Sequence, residues 1–352
     1  MPATATPRLR RIDCTGPGIN RRRHGRGFRY VGADGEQVDD PELLARIHEL
    51  VIPPAWEEVW ICPYPGGHIQ ATGTDAAGRK QYLYHPRWRE LRDMEKFDDM
   101  VAFARVLPKL RKRVAAELDG DGELTYDRVC ACAARLLDRG FFRVGGEDYA
   151  VRNESYGLAT MKKRHVRQRG DALVFDYPAK HGKRRVQAVV DPVVAGVVGQ
   201  LKRRRGGGDE LLAYKRGRRW ADLRSQDINE WLKEATGEDV SAKDFRTWGA
   251  TVLAAVALAV SEEAAATKTG RKRAIIRAIK EVAHYLGNTP AVARGSYIDP
   301  RVFDRYREGI AIDYRLVAAA SEPGSRGANS ATGDATAIQG PVEKAVLGLL
   351  EG

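Results

Sequence analysis

The longest apolar run in the chain, WGATVLAAVALAV from Trp248 to Val260, begins two residues after Arg246. Ser241 and Asp244 just ahead of it form an S-x-x-D capping box, so the run reads as a helix that starts near Ala242. Thirteen residues are too few to span a bilayer, which makes this a buried core helix. Arg246 then lies one turn inside a helix that enters a protein core. A guanidinium is costly to bury unless it is paired or aimed at an anion, and the rest of the sequence must supply that anion or bind it.

The charge balance narrows the choice. Lys and Arg number 59 against 47 Asp and Glu in 352 residues, a net charge of +12 that favours an acidic polymer as partner. The basic residues cluster at Arg21-Arg22-Arg23, Lys162-Lys163-Arg164, Lys183-Arg184-Arg185, Lys202 to Arg205 and Arg271-Lys272-Arg273. One such cluster is ordinarily a solvated loop; five in one chain point to nucleic acid. Cys14, Cys62, Cys130 and Cys132 make no CxxC pair, which argues against a zinc site and against a disulfide framework. MPATATPRLRRID at the start lacks the apolar core of a signal peptide, and no segment is long enough to cross a membrane. A cytoplasmic, nucleoid-associated protein is the expectation.

The pattern changes along the chain. Residues 1–90 read as an α+β module, with β-like runs at Phe28 to Val31, Val59 to Cys62, His68 to Thr72 and Gln81 to Tyr84. One helix interrupts them from Asp40-Pro41, with Leu43, Leu44, Ile47 and Leu50 on one face. Residues 91–320 are mainly helical, with apolar spacing in 100–118, 125–139, 190–204, 226–236, 243–260 and 274–286. Alternation at 165–169, 172–177 and 184–190 predicts a small antiparallel sheet with Lys180 at a turn tip. In the last part, 321–352, a linker composition over 321–340 precedes a short amphipathic helix carrying Val342, Ala345, Val346, Leu349 and Leu350.

The common cofactor signatures are missing. There is no GxxxxGKS/T phosphate cradle and no HExxH metal pair, and DGDGE at 119–123 lacks the spacing of a calcium loop and reads as a turn before a Thr125 helix cap. The expected cofactor and metal are therefore none. What remains is arginine, lysine and tyrosine in four places: Arg143 in FFRVGGEDY, after the Gly140 expected to end a helix; Lys180 at the hairpin tip; Arg246; and LGNTPAVARGSYIDP, with Asn288 and Tyr297 nine residues apart. These suit a phosphodiester. Two arginines neutralise the charge of a pentacoordinate phosphorus, a lysine protonates a leaving alkoxide, and a tyrosine attacks. Singly, each has an ordinary reading as a surface ion pair or a packing residue.

Taken in order, the words resemble the type IB DNA topoisomerases of the small bacterial and poxvirus kind. They are IPPAWEEVWICPYPGGHIQATGTDAAGRKQYLYHPRWRE (52–90), FFRVGGEDYAVRNESYGLATMKKRHV (141–166), FDYPAKHGKRR (175–185), KDFRTWGA (243–250) and LGNTPAVARGSYIDP (286–300). GRKQYLYHP and KDFRTW are specific. The resemblance implies an α+β chain, with a small β-rich N-terminal domain followed by a mainly α-helical catalytic domain of the topoisomerase IB and tyrosine recombinase type. Such a protein is a monomer that clamps double-stranded DNA. Carried over by position, Arg143 matches the first catalytic arginine, and Lys180 the lysine of an F-x-G-K hairpin, although Ala179 stands where glycine is usual. Arg246 matches the arginine of K-D-x-R-T-W, and Tyr297 the nucleophile. Asn288 departs from the family's poxvirus and eukaryotic members, which have histidine there.

The resemblance implies reversible transesterification: Tyr297 takes the 3′-phosphate, the 5′ oxygen leaves with a proton from Lys180, the strand swivels and the nick reseals. Neither ATP nor metal is needed, because the phosphotyrosine keeps the bond energy. Arg79, Lys80, Gln81, Tyr82 and Tyr84 are the expected DNA-binding face of the N-terminal domain. A tyrosine recombinase would share these five catalytic types but carry H-x-L-R-H at the second arginine, which KDFRTW is not. A DNA clamp that has lost catalysis has Asn288 as its sole support.

Overall fold

Short alternating runs closed by turn residues build the first part of the chain. Strands β1 (Ile19–His24) and β2 (Gly27–Val31) form a hairpin, helix α1 (Pro41–Glu49) follows, and β3 (Glu57–Ile61), β4 (Ile69–Thr74) and β5 (Lys80–Tyr84) complete an antiparallel sheet of order β2-β1-β3-β4-β5. Asp40 caps α1 by accepting from the Glu42 N–H, and Ile47 from that helix joins Ile19, Val59, Ile61 and Ala71 in a small core. The β1 strand is missed by the sequence reading, because INRRRH looks like a solvated basic cluster. Arg21 is in fact spent internally. Its guanidinium donates to the carbonyls of Ile52, Pro53 and Trp56 and lies 4.2 Å from the Phe28 ring centroid.

The computed structural model describes residues 8–120, 122–261, 266–321 and 339–352. The chain divides into two compact units, Met1–Lys96 and Phe97–Gly352. The division falls inside helix α2 (Pro86–Leu118), six residues beyond the boundary expected at 90. The cause is visible along that helix: Pro86 to Lys96 bury no apolar side chain, and its buried face starts at Phe97 and runs through Met100, Phe103, Leu107, Leu110, Val114 and Leu118.

The second unit is a helical body around one small sheet. Helix α3 (Tyr126–Gly140) starts at a Thr125 cap that accepts from the Arg128 N–H at 3.2 Å. The acidic-looking turn before it holds a cation of the chain's own, since the Arg128 guanidinium donates to the carbonyls of Glu117, Asp119 and Gly120. Helix α4 (Glu147–Asn153) leads to strands β6 (Val166–Arg169), β7 (Ala172–Pro178) and β8 (Arg184–Val190), an antiparallel sheet in that order. Helix α5 (Pro192–Arg203) is capped by buried Asp191. A hairpin of β9 (Ala213–Arg216) and β10 (Arg219–Asp222), another element the sequence did not announce, precedes α6 (Ser225–Thr236).

Helix α7 (Ala242–Ala259) is the long apolar run, and the Asp244 carboxylate accepts from both the N–H and the hydroxyl of Ser241, at 2.7 and 3.0 Å. It is buried nearly all round, as its composition requires. No helix among the described residues is long and apolar enough to cross a membrane. Helices α8 (Lys268–Leu286), α9 (Pro290–Ser296), α10 (Pro300–Arg307) and α11 (Tyr314–Ser321) follow, then α12 (Pro341–Glu351). The linker expected over 321–340 lies mostly outside the described residues. The amphipathic α12 buries Val342, Val346 and Leu350.

One ion network ties α12 into the body. Arg111 on α2 pairs with Asp138 on α3 at 2.8 Å and with Glu343 on α12 at 2.6 Å, and Glu343 also accepts from the Trp248 indole at 3.0 Å. Removing the cation strands two largely buried carboxylates. Arg111→Leu is expected to lower stability by about 2–4 kcal/mol in urea denaturation, and adding Asp138→Asn and Glu343→Gln to recover much of it. Equal stability of Arg111→Leu and the parent chain would show the network to be idle.

Candidate active site

Each expected catalytic residue sits at or close to the end of an element in the second unit, or just inside one. Helix α3 ends at Gly140, with Phe141 in the left-handed conformation at φ 51°. The helix thus stops at Gly140 as expected, but Phe141 takes the left-handed turn, and a Cβ on Gly140 would lie 2.2 Å from the Phe142 ring. Arg143 follows two residues after Phe141. At the end of α8, Gly287 takes φ 62°, the usual helix stop, and turns the chain so that Asn288 comes next. Tyr297 is the C-cap of α9, with its N–H bonded to the Ala293 carbonyl at 3.1 Å. Thr251 on α7 holds the segment that follows: its hydroxyl accepts from the Asp299 N–H at 3.1 Å and lies 3.3 Å from the Tyr297 carbonyl oxygen.

Arg246 brings these segments together. It is 3% exposed, and its guanidinium donates to the carbonyl of Phe141 beyond α3 and to that of Leu286 in the last turn of α8, the latter at 3.0 Å. Both are carbonyls that a helix end leaves without an intrahelical partner. The guanidinium carbon lies 5.2 Å from the Tyr297 ring centroid. The Nε of Arg246 is buried with no hydrogen-bond partner. Asn288 repeats the theme: its Oδ1 accepts from Arg143 Nη2, which fixes the amide orientation because arginine only donates. Its Nδ2 is thereby turned away from Arg143, buried and unpartnered. Two N–H donors thus stand idle beside one phenol.

The electrostatics are one-sided. Among the described residues neither Arg143 nor Arg246 pairs with a carboxylate; their bonds go to the Asn288 amide and to backbone carbonyls. Burial first, then the charge of Arg143, lowers Arg246 to about 10, which leaves it protonated at neutral pH. Burial alone would raise the Tyr297 phenol, but the Arg246 guanidinium, then Arg143 and the Asn288 amide, outweigh it and hold the phenol below its ordinary 10.0. This is a site short of negative charge, with the chemistry to take an anion such as a phosphate.

Lys180 stands apart from the other four. It begins a single 3₁₀ turn, 180–182, at the tip between β7 and β8, and its side chain is exposed. It lines, with Arg143 and Asn288, a cleft of about 560 Å³. Ala179, where the resemblance led one to expect glycine, has φ −100°, a conformation open to any residue.

Two residues in that cleft were given no role by the sequence, Arg185 being one of a basic run and Gln187 one of the alternating 184–190. Arg185 donates to the Tyr285 carbonyl at 2.5 Å and to Gln187 Oε1, and Gln187 Nε2 donates to the Gly140 carbonyl at 2.6 Å. Their i, i+2 spacing on β8 puts them on one face of the sheet, and that alternation was the available signal. In the first unit, Tyr82 and Tyr84 are each 38% exposed and stack at 6.1 Å, with the Lys80 ammonium 5.8 Å from the Tyr82 ring centroid. Gln81 does not share that face. Gln81 and Arg79 both bond to Asp75 in the turn before β5.

Known proteins resemble this chain over most of its length. The family model for the eukaryotic DNA topoisomerase I catalytic core matches residues 85–315, and that for the bacterial DNA topoisomerase IB N-terminal domain matches residues 27–75. DNA topoisomerase 1B of Acanthamoeba polyphaga mimivirus is 30% identical over 317 residues, covering 85% of this chain and 93% of the relative. DNA topoisomerase 1B of vaccinia virus (strain Copenhagen) is 21% identical over 237 residues, 67% of this chain and 72% of the relative. DNA topoisomerase 1 of rabbit fibroma virus (strain Kasza) is 20% identical, covering 79% and 89%. A catalytic-core match over most of the chain, with the bacterial N-terminal match ahead of it, makes this chain a member of the type IB DNA topoisomerase family, an enzyme that acts on DNA.

Proposed function

We propose that the chain relaxes supercoiled duplex DNA by single-strand transesterification, with Tyr297 as nucleophile. The observation that carries the reading is the pair of buried, unpartnered donors, Arg246 Nε and Asn288 Nδ2, beside a phenol held below its ordinary value. The Tyr297 oxygen attacks a backbone phosphorus and its proton passes to solvent. The P–O5′ bond breaks, and Lys180 gives a proton to the departing oxygen. Arg143, Arg246 and Asn288 donate to the non-bridging oxygens, on which charge builds in the transition state. The 3′-phosphotyrosine keeps the energy of the broken ester, so the 5′ hydroxyl reseals the strand without ATP or a metal. Both units engage the same duplex as a monomer, the first through Lys80, Tyr82 and Tyr84.

Plasmid relaxation in EDTA without ATP is the expected activity. Tyr297→Phe is expected to abolish it, and to give no covalent adduct with labelled duplex in SDS, while DNA affinity stays close to that of the parent, because many phosphate contacts carry binding. An adduct at parental yield would move the nucleophile elsewhere, with Tyr306 the next residue to test.

Asn288 separates hydrogen-bond donation from acid–base catalysis, which asparagine cannot perform. Asn288→Ala is expected to slow single-turnover cleavage about 30- to 1,000-fold, or roughly 2–4 kcal/mol. Asn288→His should recover most of the rate. Asn288→Asp should be worse than alanine, because a carboxylate there repels the phosphate. An Asp variant as fast as the parent would refute donation by this side chain.

A further inference from the structure

We infer that Arg185, acting with Gln187, is a positioning residue for Lys180. The inference rests on the reading of Lys180 as the proton donor. The hairpin tip runs from Ala179 to Lys183 and is closed by the Pro178–Arg184 pair; the next pair down the ladder is Tyr177–Arg185. Arg185 therefore sits at the root of the segment that carries Lys180. From there it reaches two helix ends at once, bonding the Tyr285 carbonyl directly and, through Gln187, the Gly140 carbonyl.

These two carbonyls are the chain neighbours of the two that Arg246 holds. Arg246 takes Phe141 and Leu286; Arg185 and Gln187 take Gly140 and Tyr285. The ends of α3 and α8 are thus clasped twice, by α7 and by the hairpin root. Since Arg143 follows α3 and Asn288 follows α8, the second clasp registers the hairpin against the groups that would hold the phosphate. The fit is close, for a Cβ on Gly287 would lie 2.4 Å from Arg185 Nη1.

A guanidinium here is costly as a mere structural tie. Arg185 has no carboxylate partner among the described residues, and burial lowers its pKa from the usual value, with the Tyr177 hydroxyl opposing that and the charge of Arg143 adding to it. A neutral donor would bond the same carbonyls without that repulsion. The fork geometry explains the choice: Nε and Nη2 serve Gln187 and Tyr285 from one rigid plane, so the root of the hairpin has one orientation while its tip stays exposed. An exposed lysine on a fixed root has a short and defined arc in which to meet the leaving oxygen.

The test compares cleavage of ordinary duplex with cleavage of duplex whose scissile 5′ oxygen is replaced by sulfur, under single-turnover conditions at saturating enzyme. A thiolate leaves without a proton, so a fault in proton delivery is masked on the sulfur substrate and a general loss of folded enzyme is not. Arg185→Met is expected to slow ordinary cleavage on the order of 10- to 100-fold and to regain most of that loss on the sulfur substrate. Gln187→Met, which breaks the link to Gly140 but leaves the bond from Arg185 to the Tyr285 carbonyl, should show the same split in milder form and keeps the test valid if Arg185→Met folds poorly. Equal losses on both substrates, or no loss, would overturn the role of Arg185. Lys180→Ala is the control. Recovery by Lys180→Ala alone refutes Arg185 as its positioner, whereas no recovery by Lys180→Ala removes the donor reading and this inference with it.

Discussion

The site depends on one guanidinium bonded to two carbonyls. Arg246 reaches from α7 to Phe141 and Leu286, and so fixes where two other helices end relative to the apolar core in which α7 is embedded. Arg143, Asn288 and Tyr297 all lie within a few residues of those ends or of the segment that Thr251 holds one turn further along α7. A lysine could not do this, since a point charge lacks the fork that addresses both carbonyls and still leaves an Nε over. A helix embedded in the apolar core is therefore also the one that holds the site's segments in register.

The same arrangement explains why the site is loaded with uncompensated charge. Helix-end carbonyls carry partial negative charge, enough to hold a guanidinium in the core but too little to neutralise it. What remains acts on Tyr297, whose phenol is held down although burial pushes it up. Such a site is costly to fold, and under the proposed function it gains its full complement of partners when a phosphate enters. Asn288 fits this economy of donors: bonded to Arg143 through its oxygen, it has its nitrogen free.

Much of this was legible in the sequence because the elements that matter are strongly patterned. The α7 run, the capping box of Ser241 and Asp244 and the β6-β7-β8 alternation each follow from local rules. What could not be read was the use of individual cations. Arg21, Arg128 and Arg204 look like members of basic clusters or loops, yet each is turned inward onto backbone carbonyls, which no periodicity reports. Arg185 was hidden for the same reason. The β1 strand was lost because three consecutive arginines, Arg21 to Arg23, hide its alternation, and the close contact with Phe142 that requires glycine at 140 leaves no mark in the sequence. Pairing Gln81 with Tyr82 as one surface overlooked the alternation of β5, which sends Gln81 to Asp75.

The surplus of positive charge around Tyr297 is the property on which assembly and chemistry both turn, and the phenol itself reports it. Its ionisation is measured as the difference in near-ultraviolet phenolate absorbance between the parent chain and Tyr297→Phe, titrated in the absence of DNA. Half-ionisation below the ordinary 10.0, moving upward in Arg143→Gln, is the result expected if the cations outweigh burial. Half-ionisation at or above 10.0 in the parent would mean that burial wins, and would contradict a site poised by Arg246 and Arg143.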